Sequence, residues 1–391
     1  MRAAGGGPRG WSGNHVGGCG IKRSRYLLDQ VKHNIDEGKE MIDLDAFAGT
    51  LDAPSGHSWR PVILRLLPGE MGRFTMLCRR QGIAVIDTID RQLTELAAVR
   101  LPDRPGEHEQ YAREVAGDDV SAYGAWVHLP WLSQVAHVLP PSDYFDVVTA
   151  RNQLKITRAE QDLLRKKRVA VIGLSVGGEV AVALAQEHLC GHIVLADHDR
   201  LDLSNLNRLG AGIHDLGLPK TQLVARRIAV IDPYLEITLV EEGVTEDNAA
   251  EFMDGLDLLV DECDGLAIKH LVRRLARDRG VDVVYAADER GFLSVEPYGG
   301  HPGLEPFHGL VAGRPEAYLD GLVSWLGGRE ALSERSRRSA ELIGTSLSGY
   351  PQLAGEARYA AGQVAHVARR LLLGERLPPF HGHLGPGEFL P

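Results

Sequence analysis

The stretch from Arg168 to Arg208, RVAVIGLSVGGEVAVALAQEHLCGHIVLADHDRLDLSNLNR, most constrains what this chain can fold into. Residues 169–172 form an unbroken apolar run, the pattern of a parallel strand buried on both faces. A glycine-rich turn follows, Gly173-Leu-Ser175-Val-Gly177-Gly178, then a helical pattern over residues 180–189. A second apolar run, residues 193–196, ends in Asp197-His-Asp199. Strand, glycine turn, helix and acid-terminated strand is the layout of a dinucleotide-binding unit. Glycines let the backbone approach a phosphate, and a helix N-terminus offers unpaired N–H groups and the positive end of its dipole. Asp197 stands 24 positions after Gly173 (197 − 173), where a ribose-binding carboxylate belongs. Ser175 occupies the position at which that motif places its second glycine.

Composition limits the alternatives. A chain of 391 residues with 44% hydrophobic and 25% charged residues has ample core for two or three domains. A formal charge of −10 argues against nucleic acid as partner. The four cysteines, Cys19, Cys78, Cys190 and Cys263, form no CxxC pair, so neither a zinc site nor a disulfide framework is expected. This usage suits a reducing cytoplasm. No run approaches the roughly 18 apolar residues of a membrane span, so no membrane partner is expected. Residues 1–24, rich in Gly and Arg, read as a disordered tail.

Residues 25–145 read as an accessory α+β region, with a helix over 85–99 and a strand pair at 125–128 and 135–139. Thr157 and Glu160 are spaced as a capping box. After Arg208, strand-like runs at 236–240, 256–261 and 281–286 alternate with helical stretches at 220–231, 246–253 and 266–277. That alternation predicts an α/β fold: a Rossmann-like, mostly parallel sheet with helices on both faces, over residues 146–300. Residues 291–297 suit an added edge strand. Residues 301–391 read as a C-terminal helical extension, with helices at 333–343 and 356–373. His381-Gly-His383 has the look of a metal pair, but no third ligand accompanies it.

In an open parallel sheet, ligands bind at the carboxyl ends of the strands. The candidate residues fall there: Asp197 for a ribose, Asn205, Arg208 and Lys220 for phosphates, and Asp264 for magnesium beside the phosphate oxygens. Each also has an ordinary structural reading, as surface ion pair, solvated lysine or helix cap. Their shared order after one glycine turn favours a joint site.

The string GLSVGG, LADHDRLDLSNLNRL, HDLGLPK and DECD resembles the adenylating core of the ThiF/MoeB type, shared with ubiquitin-activating enzymes, over roughly residues 151–300. The resemblance implies a homodimer that uses ATP and Mg2+ to adenylate a carboxylate and release pyrophosphate. It implies nucleotide contacts from Gly173, Ser175, Gly177, Gly178, Asp197, Asn205, Arg208 and Lys220, a metal contact from Asp264, and an arginine, Arg151, that reaches the partner subunit's site. The sequence departs from the family at Ser175 (a glycine there), Leu209 (glutamine) and Gly265 (asparagine). No cysteine follows Cys263, where thioester- or persulfide-forming members carry a thiol. The expected substrate is thus a carrier-protein C-terminus, a peptide or a small acid, with acyl transfer to an external nucleophile. An NAD-dependent oxidoreductase and a non-catalytic dimeric scaffold are the alternatives.

Overall fold

The computed structural model describes residues 41–51, 58–287, 289–311, 323–328, 330 and 332–385. The tail expected at residues 1–24, and Cys19 within it, lie outside them.

The first unit is built on four strands. Its elements are α1 (Leu44–Thr50), β1 (Val62–Leu64), α2 (Met71–Arg80), β2 (Ala84–Asp87), α3 (Ile89–Arg100), α4 (His108–Ala116), β3 (Ala125–Leu129) and β4 (Gln134–Val138). The strands run in the order β1-β3-β4-β2, antiparallel except for β2 against β4. Phe47, Phe74 and Trp126, all buried, fill the space between α1, α2 and the sheet. The helix expected over 85–99 starts only at Ile89. The three-residue spacing of Ile83, Ile86 and Ile89 imitates a helical stripe, yet residues 84–87 pair with residues 134–137 of β4. Tertiary pairing overrides the local period here.

Helices α5 (Pro141–Val148) and α6 (Arg158–Leu164) lead into the larger sheet. Thr157 caps α6 as its spacing foretells: its side chain accepts from the Glu160 N–H, and Glu160 accepts from the Thr157 N–H at 2.7 Å. The second unit then runs β5 (Arg168–Ile172), α7 (Val176–Gln186), β6 (His192–Ala196), α8 (Lys220–Ala229), β7 (Glu236–Val240), α9 (Ala249–Phe252), β8 (Leu258–Asp261), α10 (Leu266–Arg279), β9 (Asp282–Ala286) and β10 (Phe292–Glu296). It closes with α11 (Glu334–Leu342), α12 (Ala354–Leu372) and β11 (Phe380–His383).

The seven strands lie in the order β11-β10-β9-β8-β5-β6-β7. From β9 to β7 the sheet is parallel, and β10 and β11 are antiparallel additions. Helices cover both faces. Val169, Val171 and Leu195 face α7, α8 and α12, whereas Ala170, Ile172 and Val194 face α9 and α10. The strands are buried on both sides, which is why they read as continuous apolar runs. The chain reverses between β5 and β6 on one side and β5 and β8 on the other, the switch point at which such sheets hold ligands.

Two differences from the sequence reading concern the C-terminal end. Strand β10 is not an edge strand, because residues 380–383 pair along it, Ser294 opposite His381. The tail's glycine and histidines hid that strand. Helix α12 does not stand apart from the larger sheet: its Ala357, Ala360, Val364, Ala365 and Ala368 are buried with α7 in the main core. Small side chains let the two helices approach closely. Among the described residues, His381 and His383 have other neighbours. The His381 ring stacks on His308 at 4.9 Å, and His383 Nε2 lies 3.0 Å from the Leu326 carbonyl.

Truncation after Leu353, which removes α12 and β11, should therefore abolish the cooperative unfolding transition of the α/β unit in urea, followed by circular dichroism. A truncated chain that still unfolds cooperatively with near-native helix and strand content would contradict this role.

Candidate functional site

At the carboxyl ends of β5, β6, β8 and β9 lies a cavity of about 630 Å³. Gly173, Leu174 and Ser175 line it from the turn after β5, Asp197, His198 and Asp199 from the end of β6, and Asp264 from the loop after β8. Asn205, Arg208 and Lys220 complete it from the long β6–α8 connection.

The glycine turn is set by two constraints. Gly173 has φ +80°, and a Cβ there would sit 2.5 Å from the Glu262 carbonyl oxygen, so only glycine fits. The Leu174 N–H then donates to Asp197 Oδ2 at 2.6 Å, and the Asp199 N–H donates to Asp197 Oδ1 at 2.7 Å. Asp197 is buried and its two oxygens tie the end of β5 to the end of β6.

Gly177 and Gly178, expected at the phosphates, stand elsewhere. Both are buried in α7 and neither lines the cavity. A Cβ on Gly177 would meet Val171 Cγ1 at 2.9 Å, and one on Gly178 would meet Val224 Cγ2 at 3.0 Å. They permit the helix to pack closely on β5 and α8, the third-glycine task of such motifs. Ser175, in place of a glycine, makes no capping bond to α7. Its Oγ lies 3.1 Å from Arg208 Nε and accepts that donor.

Lys220 opens α8 with its side chain buried. Its Nζ donates to Asp199 Oδ2 at 2.7 Å, and its backbone N–H donates to the Asp199 carbonyl at 2.9 Å. The hydrogen bond from Lys220 is the main reason the Asp199 carboxyl is held below the usual aspartate range. Asn205 is buried and accepts from the Asp202 N–H at 3.0 Å, which shapes the turn that presents Arg208. Leu209, where the family resemblance expects glutamine, is buried against Leu201 and Leu223. Asp264 is exposed at the cavity rim. Arg151, on a short helical turn at Ala150–Asn152, is exposed and does not line this cavity.

Several contributors are not among the candidates named from the sequence. Glu262, Tyr285, Ala286, Ala287 and Gln352 also line the cavity. Gln352 arrives from the C-terminal segment, and only the tertiary fold reveals it. Behind the cavity floor lies a fully buried ionic cluster. Arg273 bonds Asp261 and, through Nε at 2.6 Å, Glu296, while Lys269 Nζ stands 3.3 Å from Asp261 Oδ2. Burial by itself would raise the Asp261 carboxyl, but the Lys269 and Arg273 charges outweigh it and hold it down to about 2. Burial, with Asp261 adding to it, pushes the Cys263 thiol well above its ordinary range. That disfavours the thiolate a nucleophile needs and fits a packing role.

The α/β sheet with a glycine turn, a strand-end acid and convergent cations defines a nucleotide-binding domain of the doubly wound class. Residues 149–294 match the ThiF family model. The chain carries a ThiF-family domain. It is 38% identical over 312 residues, 77% of this chain and 42% of the relative, to the uncharacterized protein MT1398 of Mycobacterium tuberculosis. It is 38% identical over 134 residues, 33% of this chain and 52% of the relative, to tRNA threonylcarbamoyladenosine dehydratase of Bacillus subtilis. The chain thus spans about half the length of these curated relatives. Among solved structures, the Escherichia coli tRNA N6-threonylcarbamoyladenosine dehydratase in complex with ATP is similar at a TM-score of 0.41 and 20% identity. That match covers 55% of this chain and 89% of the other, too loose an overlap to carry function.

The Lys220–Asp199 contact yields a direct test. The Asp199 carboxyl should titrate below an ordinary aspartate, and Lys220→Ala should move its midpoint back up, as followed by carboxyl-carbon NMR. A folded-state value depressed in this way means that the contact's contribution is present above the unfolded-chain pKa and is lost as pH falls through the lower value. An identical midpoint in both proteins would show that Lys220 does not hold Asp199.

Proposed function

We propose that the chain is an ATP- and Mg2+-dependent adenylyltransferase that activates a carboxylate as an acyl-adenylate with release of pyrophosphate. The convergence of Asp197, Asn205, Arg208, Lys220 and Asp264 on one cavity at the strand ends carries this reading. NAD binding explains the glycine turn and Asp197, but gives no reason to gather two cations at the phosphate end.

Each residue has a task that its placement suits. Each Asp197 oxygen accepts one backbone N–H and retains a lone pair for a ribose hydroxyl. The N-terminus of α7, placed by the glycine turn, presents its free backbone donors toward phosphate oxygens. Lys220 exchanges its Asp199 partner for a phosphate, and Arg208, steadied by Ser175, supplies a planar fork of donors. Asp264 offers carboxylate oxygens at the rim, a donor type that fits a magnesium ion sharing phosphate oxygens. When bound, that ion neutralises phosphate charge.

The reaction asks for position and charge more than for a protein nucleophile. A substrate carboxylate oxygen forms the new bond to the α-phosphorus as the bond from that phosphorus to the pyrophosphate oxygen breaks. No proton moves in this step. The Arg208 and Lys220 cations stabilise the charge that builds on the phosphate oxygens. With the Cys263 thiol held protonated, the acyl group passes to an external nucleophile. The substrate class is a carrier-protein C-terminus, a peptide or a small acid. The active form is a homodimer in which Arg151 serves the partner subunit's site.

Exchange of labelled pyrophosphate into ATP, run with a panel of such carboxylates, tests this function. Exchange should require both a carboxylate and magnesium, and Lys220→Ala should reduce it by about 100-fold or more, the scale of losing one charge-stabilising group. Undiminished exchange in Lys220→Ala would remove that lysine from the chemistry.

A further inference from the structure

The segment between α11 and α12 crosses one side of the cavity, and two side chains fasten it. Tyr350 donates from its hydroxyl to Glu289 Oε2 at 2.7 Å, and Glu289, itself buried, also receives Ser336 Oγ at 2.8 Å. Two residues further on, Asn207 Nδ2 donates to the Gln352 carbonyl oxygen at 2.8 Å. Gln352 lines the cavity, as do Tyr285, Ala286 and Ala287 at and after the end of β9. Residues 350–353 therefore form a strap that brings Gln352 into the cavity wall, which the adenylation reading makes part of the substrate side.

Asn207 does not stop at the strap. Its Oδ1 accepts from Arg208 Nη1 at 2.9 Å, while Arg208 Nε donates to Ser175 Oγ at 3.1 Å. A continuous series of hydrogen bonds thus runs from the Gln352 carbonyl through Asn207 and Arg208 to the glycine turn. An amide suits the middle of this series, because it donates from one atom and accepts at the other. Asn207 is exposed and does not line the cavity, so it acts through Arg208 and Gln352.

We propose that Asn207 is a positioning residue that couples the strap at residues 350–353 to the phosphate-binding Arg208, so that nucleotide binding fixes the substrate-side wall. This rests on the nucleotide reading of the cavity. Phosphate contact orders the Arg208 side chain, the ordered guanidinium fixes the Asn207 amide, and the amide fixes the strap. By linkage, substrate pressing on the strap also strengthens nucleotide binding.

Amide hydrogen exchange of the full chain over residues 347–355, with and without saturating Mg-ATP, reads the coupling without any knowledge of the substrate. In the wild-type chain ATP should slow exchange of this segment about fivefold or more, the lower bound of ordinary allosteric coupling. Asn207→Ala removes both bonds. Asn207→Asp keeps the acceptor for Arg208 but loses the donor to Gln352. The ATP-induced protection should disappear in both, although saturating nucleotide still binds, as equilibrium dialysis would report. A merely structural anchor would raise exchange equally with and without ATP and leave the ATP-induced difference intact, and that result would overturn the coupling. ATP binding without strap protection in the wild-type chain would overturn it as well. Failure of the wild-type chain to bind ATP at all would overturn the nucleotide reading, and the coupling with it.

Discussion

The hydrogen bond from the Leu174 N–H to Asp197 Oδ2 joins the ends of the two central strands, and the geometry of the site depends on it. It forms only because Gly173 takes a left-handed conformation with its α-carbon against the Glu262 carbonyl. Glycine there, the carboxylate at the next strand end and the loop after β8 are thus a single mutually dependent arrangement. Its second oxygen, bonded to the Asp199 N–H, extends the arrangement to the residue that holds Lys220. One buried carboxylate organises the cavity from the glycine turn to Lys220.

The rest of the domain keeps that arrangement rigid. Helix α7 lies on β5 and α8 without side chains at Gly177 and Gly178, so its N-terminus is held beside the turn. Helix α12 packs on α7 from outside, and β11 seals the edge of β10. The Asp261–Arg273–Glu296 cluster, fully buried, ties β8, α10 and β10 together beneath the loop that carries Asp264. Breaking one partner of such a cluster leaves an uncompensated buried charge, which costs about 3–5 kcal/mol. Against this fixed floor, the side chains at the cavity are paired, the buried Lys220 with the exposed Asp199 and the half-buried Arg208 with Ser175 and Asn207.

Much of this was legible in the sequence, for local reasons. The buried strands announce themselves as apolar runs, the capping box of α6 lies within four residues, and Lys220 follows a proline that starts a helix. Asp197, Asn205, Arg208, Lys220 and Asp264 fall near strand ends in one connected stretch, so their convergence follows from the topology alone. What the sequence concealed depends on distant pairing. Residues 84–87 look helical until β4 is placed beside them, and residues 380–383 look like a tail until β10 recruits them. Gly177 and Gly178 sit inside a phosphate motif but serve packing, a distinction that needs the positions of Val171 and Val224. Gln352 enters the cavity 145 residues after Asn207, with no motif to mark it.

The central claim is that this cavity is built for a nucleoside triphosphate with magnesium. Calorimetric titration of the purified chain with ATP, with and without magnesium and with NAD in parallel, tests it most directly. The account predicts magnesium-dependent ATP binding that weakens about tenfold or more in Arg208→Ala, the scale of one charge-assisted contact. Binding of NAD in preference to ATP, or ATP binding indifferent to Arg208, would contradict it.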